Sequence, residues 1–351
     1  AGYAAGMKVI HIPDTIEIND DIRSLTSVVC HSLSDVPDII DTWNEGKVVD
    51  IEGYYENAKI NRVYVDRVHV KKAFAEYTAA YNADDPKIKL KIDHTYRVAA
   101  LCERIAKAAG MCAYDVELAW LSGMLHDVGR FEQIKRYNTF SDADSVDHAK
   151  FGADLLFKDG LISTFLKGMV KCTGYKPGAL EDRYDSDGVF LYDRLNKSDM
   201  EMLELAIRCH NMYRIPQGLN CREQAFCNVL RDADKVDIFK VNIDTPLEEI
   251  YNTTTEELMK SDITDEVLEA FDEEHCILKA IRRTPADTVI GHVSLAYELV
   301  YDESVRITVE QGYLAKLMHF HSDNEETNRK MAMVREKMDS YVKKRIVEKD
   351  A

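Results

Sequence analysis

The sequence predicts a mostly α-helical bundle preceded by a small α+β extension. Three observations lead there. From Lys71 onward, apolar residues recur at helical spacing in one segment after another. Residues 7–70 instead hold two β-branched, alternating stretches, and no internal repeat or low-complexity tract is present. With 351 residues, 46% of them hydrophobic, the chain is long enough to bury a large core. Residues 1–6, AGYAAG ahead of Met7, are expected to be a cloning remnant. Residues 7–70 are expected to form the extension, and 71–351 an all-helical domain with further C-terminal helices.

In the extension, KVIHIP and NRVYVDRVHV alternate as half-buried strands do, while SLTSVVCHSL and DVPDIIDTWNEG suggest short helical or irregular pieces. KKAFAEYTAAYN is then an amphipathic helix stopped by NADDP. KIKLKIDHTYRVAALCERIAKAAG is a second, closed by a glycine suited to a helix C-terminus. AYDVELAWLSGMLHDVG is apolar nearly all round, so it is expected to be buried. Helices continue through SVDHAKFGADLLFKDG, ISTFLKGMVKC, SDMEMLELAIRCHNMY and CREQAFCNVLRDADKVDIFKVNI. Beyond Asp244, TPLEEIYNTTTEELMKSD, TDEVLEAFDEEHCILKAIRR and ADTVIGHVSLAYELVYD follow. The charged EETNRKMAMVREKMDSYVKKRIVEK is expected to pack along one narrow stripe.

A net charge of −17 argues against a nucleic-acid polymer as partner, which would need a basic face. It leaves room for a small phosphorylated substrate, because bound metal ions invert local charge. Eight cysteines, none in a C-x-x-C pair, read as free thiols of a reducing cytoplasm. No signal peptide is recognisable, and no apolar run reaches the ~18–20 residues needed to cross a bilayer. A cytoplasmic protein without membrane association, with homo-oligomerisation left open, is the expectation.

LSGMLHDVGRF, residues 121–131, ends an apolar helix in a histidine and an aspartate. His94 shares its helix face with Val98, Leu101 and Ile105; His148 with Gly152, Leu155 and Leu156; His210 with Leu203, Ala206 and Ile207. Asp234 lies with Cys227, Leu230, Ile238 and Val241, and Asp127 closes the stripe of Trp120, Gly123 and Met124. Any one of these alone reads as a hydrogen-bonded core residue or a cap. Together they share one solution, a metal centre, because neutral imidazoles and ionised carboxylates are its ligands. Helix neighbours point ~100° apart, so His126 and Asp127 converge only if the helix relaxes just before Gly129. Asp127 could then bridge two ions ~3.5–4 Å apart, with His94, His126 and Asp234 on one and His148 and His210 on the other.

The order His…His-Asp…His…His…Asp resembles the HD-domain superfamily of metal-dependent phosphohydrolases. The stretches that carry the likeness are IDHTYRVA, MLHDVGRFEQ, DHAKFGADLL, IRCHN and LRDADKVDIF, within roughly Lys71 to Val241. The resemblance implies an HD-domain helical bundle. It implies His94, His126, Asp127 and Asp234 as ligands of one metal, with His148 and His210 added in binuclear members. Of the late acids it selects Asp234, which precedes the basic residue, over Asp232 and Asp237. It implies two divalent ions as cofactors: iron or manganese first, with magnesium, nickel or zinc as alternatives. Arg130 stands where related cyclic-dinucleotide phosphodiesterases often carry lysine, and no GYP signature follows His210-Asn211, which turns the reading away from cyclic dinucleotides.

The expected activity is hydrolysis of a phosphate ester or anhydride of a nucleotide or other small phosphorylated metabolite. A metal-bridging hydroxide is the expected nucleophile, with Asp127 and Arg130 as catalytic residues. Arg130 would clamp phosphate through its planar fork, its alternative role being a helix-end salt bridge. Residues 130–148 read as a polar connector over the metals, with Gln133 and Tyr137 as substrate-binding candidates beside Arg130, and with Arg136 and Thr139 within reach. Lys171 and Arg214 read as surface residues. Two rivals stand: an HD-fold di-iron oxygenase acting on a small alcohol or phosphonate, and a metal-stabilised scaffold whose extension binds a ligand or partner.

Overall fold

The computed structural model describes residues 9–11, 28–29, 36–37, 40, 44, 65–82, 84–111, 113–166, 197–248 and 253–347. In the extension, β1 (Ile10–His11) pairs in parallel with β2 (Val28–Val29), Ile10 opposite Val28 and His11 opposite Val29. The strand in KVIHIP is thus present at Ile10–His11, and its partner lies in a stretch expected to be helical or irregular. Positions 36, 37, 40 and 44 are helical; the rest of the extension, the start of NRVYVDRVHV included, lies outside the described residues.

The helical body begins earlier than the alternation of NRVYVDRVHV implies. Arg67 to Val70 open α1 (Arg67–Thr78) instead of ending a strand. The Asp66 carboxylate accepts from the backbone N–H of Val68 and His69, which starts the helix. Val70, Ala73 and Phe74 then fall on one buried face while Val68 is exposed, so the β-branched residues serve a helical pattern. Arg67 ties the first turn to Glu103 and Glu117.

α2 (Pro86–Ala108) starts on an Asp85 cap with proline in its first turn and ends before Gly110 at φ 73°. α3 (Ala113–Leu125) packs along it, and the two cross at Gly123, where a Cβ would come within 2.6 Å of the Ala99 Cα. α4 (Val128–Tyr137) corrects the expectation of a polar connector. Phe131, Gln133 and Ile134 are buried, and the helix stops at Asn138 in the left-handed conformation, φ 53°. α5 (His148–Ala153) lies against α4 at a second close approach, where a Cβ on Gly129 would come within 2.4 Å of the His148 carbonyl oxygen. A π-helical turn (Asp154–Lys158) and α6 (Ile162–Leu166) follow. The remainder of ISTFLKGMVKC, with Lys171, lies outside the described residues.

α7 (Lys197–Cys209) and α8 (Cys221–Asp244) complete the first core, in which α8 packs on α2, α3 and α7. α9 (Thr255–Lys260), α10 (Asp265–Asp272), α11 (Pro285–Val293), α12 (Asp302–Gln311), α13 (Tyr313–Met318) and α14 (Glu325–Val347) follow, with 3-10 turns at Lys279–Ile281 and Ser294–Glu298. The single helix expected over TDEVLEAFDEEHCILKAIRR breaks after Asp272, where Glu274 takes a positive φ of 55°. α14 packs as expected along a narrow stripe of Met331, Val334 and Met338. α8 belongs to both cores. Its residues from Phe226 to Val236 lie in the first, and Phe239 lies in a second built from α9, α10, α11, α13 and α14. Among the described residues, Cys102, Cys209, Cys227 and Cys276 are buried free thiols and Cys221 is an exposed one. No helix among them is long and apolar enough to cross a membrane.

Candidate metal centre

The six sequence-selected side chains converge between α2, the α3–α4 turn, α5, the end of α7 and α8. His94 rises from the middle of α2 and Asp234 from the middle of α8. α3 ends at Leu125, so His126 and Asp127 occupy a turn, and Asp127 takes the cap position of α4 at φ −106°, ψ 15°. Its carboxylate caps no backbone N–H there. It points inward instead, which is how neighbouring residues come to share one site.

The Asp127 carboxylate lies at the centre. Its Oδ2 is 3.5 Å from His94 Nε2 and 3.4 Å from His126 Nε2. Its Oδ1 is 3.5 Å from His148 Nε2 and 3.8 Å from His210 Nε2. Asp234 Oδ1 lies 3.1 Å from His94 Nε2 and 3.9 Å from His126 Nε2. His94 and His126 approach Nε2 to Nε2 at 3.3 Å, His148 and His210 at 3.0 Å.

The far side of each ring explains why Nε2 faces inward. His126 Nδ1 is 2.7 Å from the Gly123 carbonyl, and His210 Nδ1 is 2.7 Å from the Ile207 carbonyl. A carbonyl only accepts, so each Nδ1 carries the proton and, in the neutral ring, each Nε2 is a lone pair. His94 Nδ1 is 2.6 Å from Asp237 Oδ2, and His148 Nδ1 is 2.7 Å from Asp142 Oδ2. Such carboxylate and carbonyl partners set the orientation and basicity of metal-binding imidazoles.

Burial acts to raise the Asp127 carboxyl, but Lys91 and the His126 and His148 imidazoles outweigh it and hold it well below the usual carboxylate range. Asp234 is also depressed, burial being overcome by His94, His126 and His210. Burial pushes His210 down to about 3, with His148 and His126 adding to it. Burial and then Arg130 lower His148. His94 is the exception: burial and Lys91 act downward, yet Asp234 and Asp237 raise it.

The site is therefore a convergence of lone pairs. Asp127 Oδ1 is buried with no hydrogen-bond partner, a costly state for an ionised oxygen. Among the described residues, three sets have donor atoms close enough together for an ion: His94 with His126 and Asp234, and His126 with Asp127 and His210, which share His126, and Asp142 with Asp147 and His148. Imidazole nitrogens and carboxylate oxygens suit divalent transition metals, and a cation relieves the unpaired oxygen and the facing nitrogens together. The residues fit a metal.

Arg130 sits at the rim, 14% exposed, its Nε 3.8 Å from Asp127 Oδ1. Its Nη1 donates to Gln133 Oε1, the Phe140 carbonyl and Asp142 Oδ1, which fixes the guanidinium. Gln133 is fully buried. Its amide donates to Asp142, Ser145 and the Val146 carbonyl, so it braces the 138–147 segment and leaves no amide group free for a substrate. Tyr137 is 46% exposed at the end of α4, two turns beyond Arg130, and the structure does not bring it to the cluster. Arg136 pairs with Glu132, Thr139 accepts from the Ser141 backbone N–H, and Arg214 pairs with Glu298.

The roles of three residues escaped the sequence reading. Lys91 places its ammonium 2.7 Å from Asp127 Oδ2. Asp237 holds His94 and pairs with Arg97. Asp142 joins His148 to Arg130, and its carboxyl is held low by His148 and Arg130 against the upward push of burial. Lys91 precedes His94 by one helical turn and Asp237 follows Asp234 by one, so shared faces were the available signal. Asp142 lies in a non-periodic segment that carried none. Asp232, set aside as a ligand from the sequence, accepts from the backbone N–H of Val300 and Tyr301 and from Ser304 Oγ, away from the cluster.

A family model described as HD domain matches residues 92–239, a span that encloses all six side chains. Comparison with curated proteins and with solved structures gave no match.

Proposed function

We propose, from the premise that this chain is an HD-domain superfamily protein, that it is a metal-dependent phosphohydrolase cleaving a phosphate ester or anhydride of a nucleotide or other small phosphorylated metabolite. Members of this superfamily are mostly metal-dependent hydrolases, and the His/Asp clusters of this chain suit divalent ions. The observation that carries the finer reading is Asp127, whose two oxygens face two separate imidazole pairs while Oδ1 has no partner of its own.

His94, His126, Asp234 and Asp127 Oδ2 would hold one ion, and His148, His210 and Asp127 Oδ1 a second, iron or manganese being preferred. When bound, two divalent ions polarise water and neutralise phosphoryl oxygens. The chain's own part is orientation and charge. Asp237 and Asp142 fix the His94 and His148 rings, and the Gly123 and Ile207 carbonyls fix His126 and His210. Arg130, immobilised through Nη1, keeps a buried, unpartnered Nε facing the cluster for a phosphoryl oxygen. The acidic chain and compact site suit a small phosphorylated substrate, with neither nucleic-acid polymer nor membrane as partner.

The test is metal analysis of protein purified without added metal, followed by a phosphatase and phosphodiesterase panel under anaerobic conditions. Metal near two equivalents and anaerobic phosphate release are expected, both lost in Asp127→Ala. Oxygen consumption with oxidation of substrate carbon, and no anaerobic phosphate release, would replace this reading with the di-iron oxygenase.

A further inference from the structure

Two cations flank Asp127, and only one of them follows from the HD motif. Lys91, on α2, lies 2.7 Å from Oδ2; Arg130, on α4, has its Nε 3.8 Å from Oδ1. Both lie over one ring, the Lys91 ammonium 5.6 Å and the Arg130 guanidinium 5.8 Å from the centroid of Phe140. They share nearly equal, partial exposure, 16% and 14%, so they stand at the rim while the imidazoles lie beneath.

Both cations keep donor capacity beyond the bonds that hold them. Asp127 Oδ1 and Arg130 Nε are both buried atoms without a hydrogen-bond partner, and 3.8 Å is too long for a bond between them. The Arg130 Nη1 bonds keep the guanidinium from closing that gap. Across the carboxylate, Lys91 has Asp127 as its one acceptor among the described residues. A lysine ammonium carries three donors, so donor capacity remains at the rim.

We propose that Lys91 and Arg130 form a two-sided clamp for the free oxygens of a terminal phosphoryl group, so that the substrate class is a monosubstituted phosphate, as in a monoester or at the end of an anhydride, and not a diester. This rests on the phosphohydrolase reading of the same site. A terminal phosphoryl group offers two charges and three free oxygens; a diester offers one charge and two. Two rim cations above a site for divalent ions match the dianion, and Phe140 holds both cations in place through its π-face. A diester would leave one desolvated cation without its full partner.

Binding of phosphate analogues tests the clamp apart from turnover. Manganese-loaded protein is titrated calorimetrically with inorganic phosphate, methyl phosphate and dimethyl phosphate. Phosphate and methyl phosphate are expected to bind at least tenfold more tightly than dimethyl phosphate. Lys91→Met should weaken methyl phosphate at least tenfold with metal content unchanged, and Lys91→Arg should restore part of the loss. Equal affinity for dimethyl phosphate in the wild-type protein overturns the proposal without any variant. Loss of metal from Lys91→Met overturns it too, because Lys91 would then serve to orient Asp127. Failure of hydrolysis alongside intact, Lys91-dependent monoester binding would count against the reaction and leave the clamp standing.

Discussion

Asp142 and Asp237 perform the same task on two sides of the centre: each accepts from the Nδ1 of an inward-facing histidine and is itself held by an arginine, Arg130 or Arg97. Substituting either by alanine should lower metal affinity or turnover roughly 10- to 100-fold, since outer-sphere partners of metal-binding histidines commonly matter that much; metal titration of each variant checks it. His94 gives a pH prediction. Burial and Lys91 act downward on its pKa, but Asp234 and Asp237 outweigh them and raise it, so the metal-free ring holds its second proton more firmly than a free imidazole does, and that proton competes with an incoming ion. Metal affinity should therefore rise with pH through that titration and level off above it. Calorimetry in buffers of different ionisation enthalpy should show proton release, and a buffer-independent heat would contradict it. At this scale the sequence was informative where polar residues interrupt apolar faces: His94, His148, His210 and Asp234 announce themselves so. Gln133 misled because a buried bracing amide and a substrate-binding amide look alike in sequence. Asp142 was silent because its partners, Arg130, Gln133 and His148, are chosen by how the chain folds back over α4.

Two glycines let the elements meet. Gly123 brings α3 onto α2 so that His126 reaches His94, and Gly129 brings α4 onto α5 so that Asp127 reaches His148. Backbone atoms, which cannot swing aside, would meet a new methyl at both places. Gly129→Ala should cost about 1–3 kcal/mol, as overpacking typically does, and should weaken metal uptake, because the two halves of the site are displaced relative to each other. A thermal melt together with metal analysis measures both. Most helices were legible from apolar period and end signals, as Asp85-Pro86 and Gly110 show for α2. α4 was missed because its polar face, Arg130 to Arg136, outweighs the few residues, Val128, Phe131 and Ile134, that it buries. The start of α1 was misread because the β-branched Val68 and Val70 are spaced as strand residues are, until the Asp66 cap decides.

On the scale of the whole molecule, Asp232 fastens the C-terminal helices to α8 by gathering the Val300 and Tyr301 backbone N–H groups and the Ser304 hydroxyl at the entry to α12. Asp232→Ala would strip the buried Ser304 hydroxyl and two partly buried N–H groups of their acceptor, at about 1–3 kcal/mol for the buried donor and less for the others, so the melting temperature should fall while metal stoichiometry is retained. That the chain would form a helical body with C-terminal additions was readable from its periodicity. That those additions share a helix with the metal centre was not, since nothing in the period of CREQAFCNVLRDADKVDIFKVNI marks where one core yields to the next.

α8 runs through both cores, with Asp234 in the stretch that serves the first. Tension at one end of such a beam is felt at the other. An ion gripping Asp234 should quiet the opening motions of amides as distant as those of α11, and hydrogen–deuterium exchange across Pro285–Val293 should slow when manganese is added. The far helices would then report the occupancy of a centre they never touch.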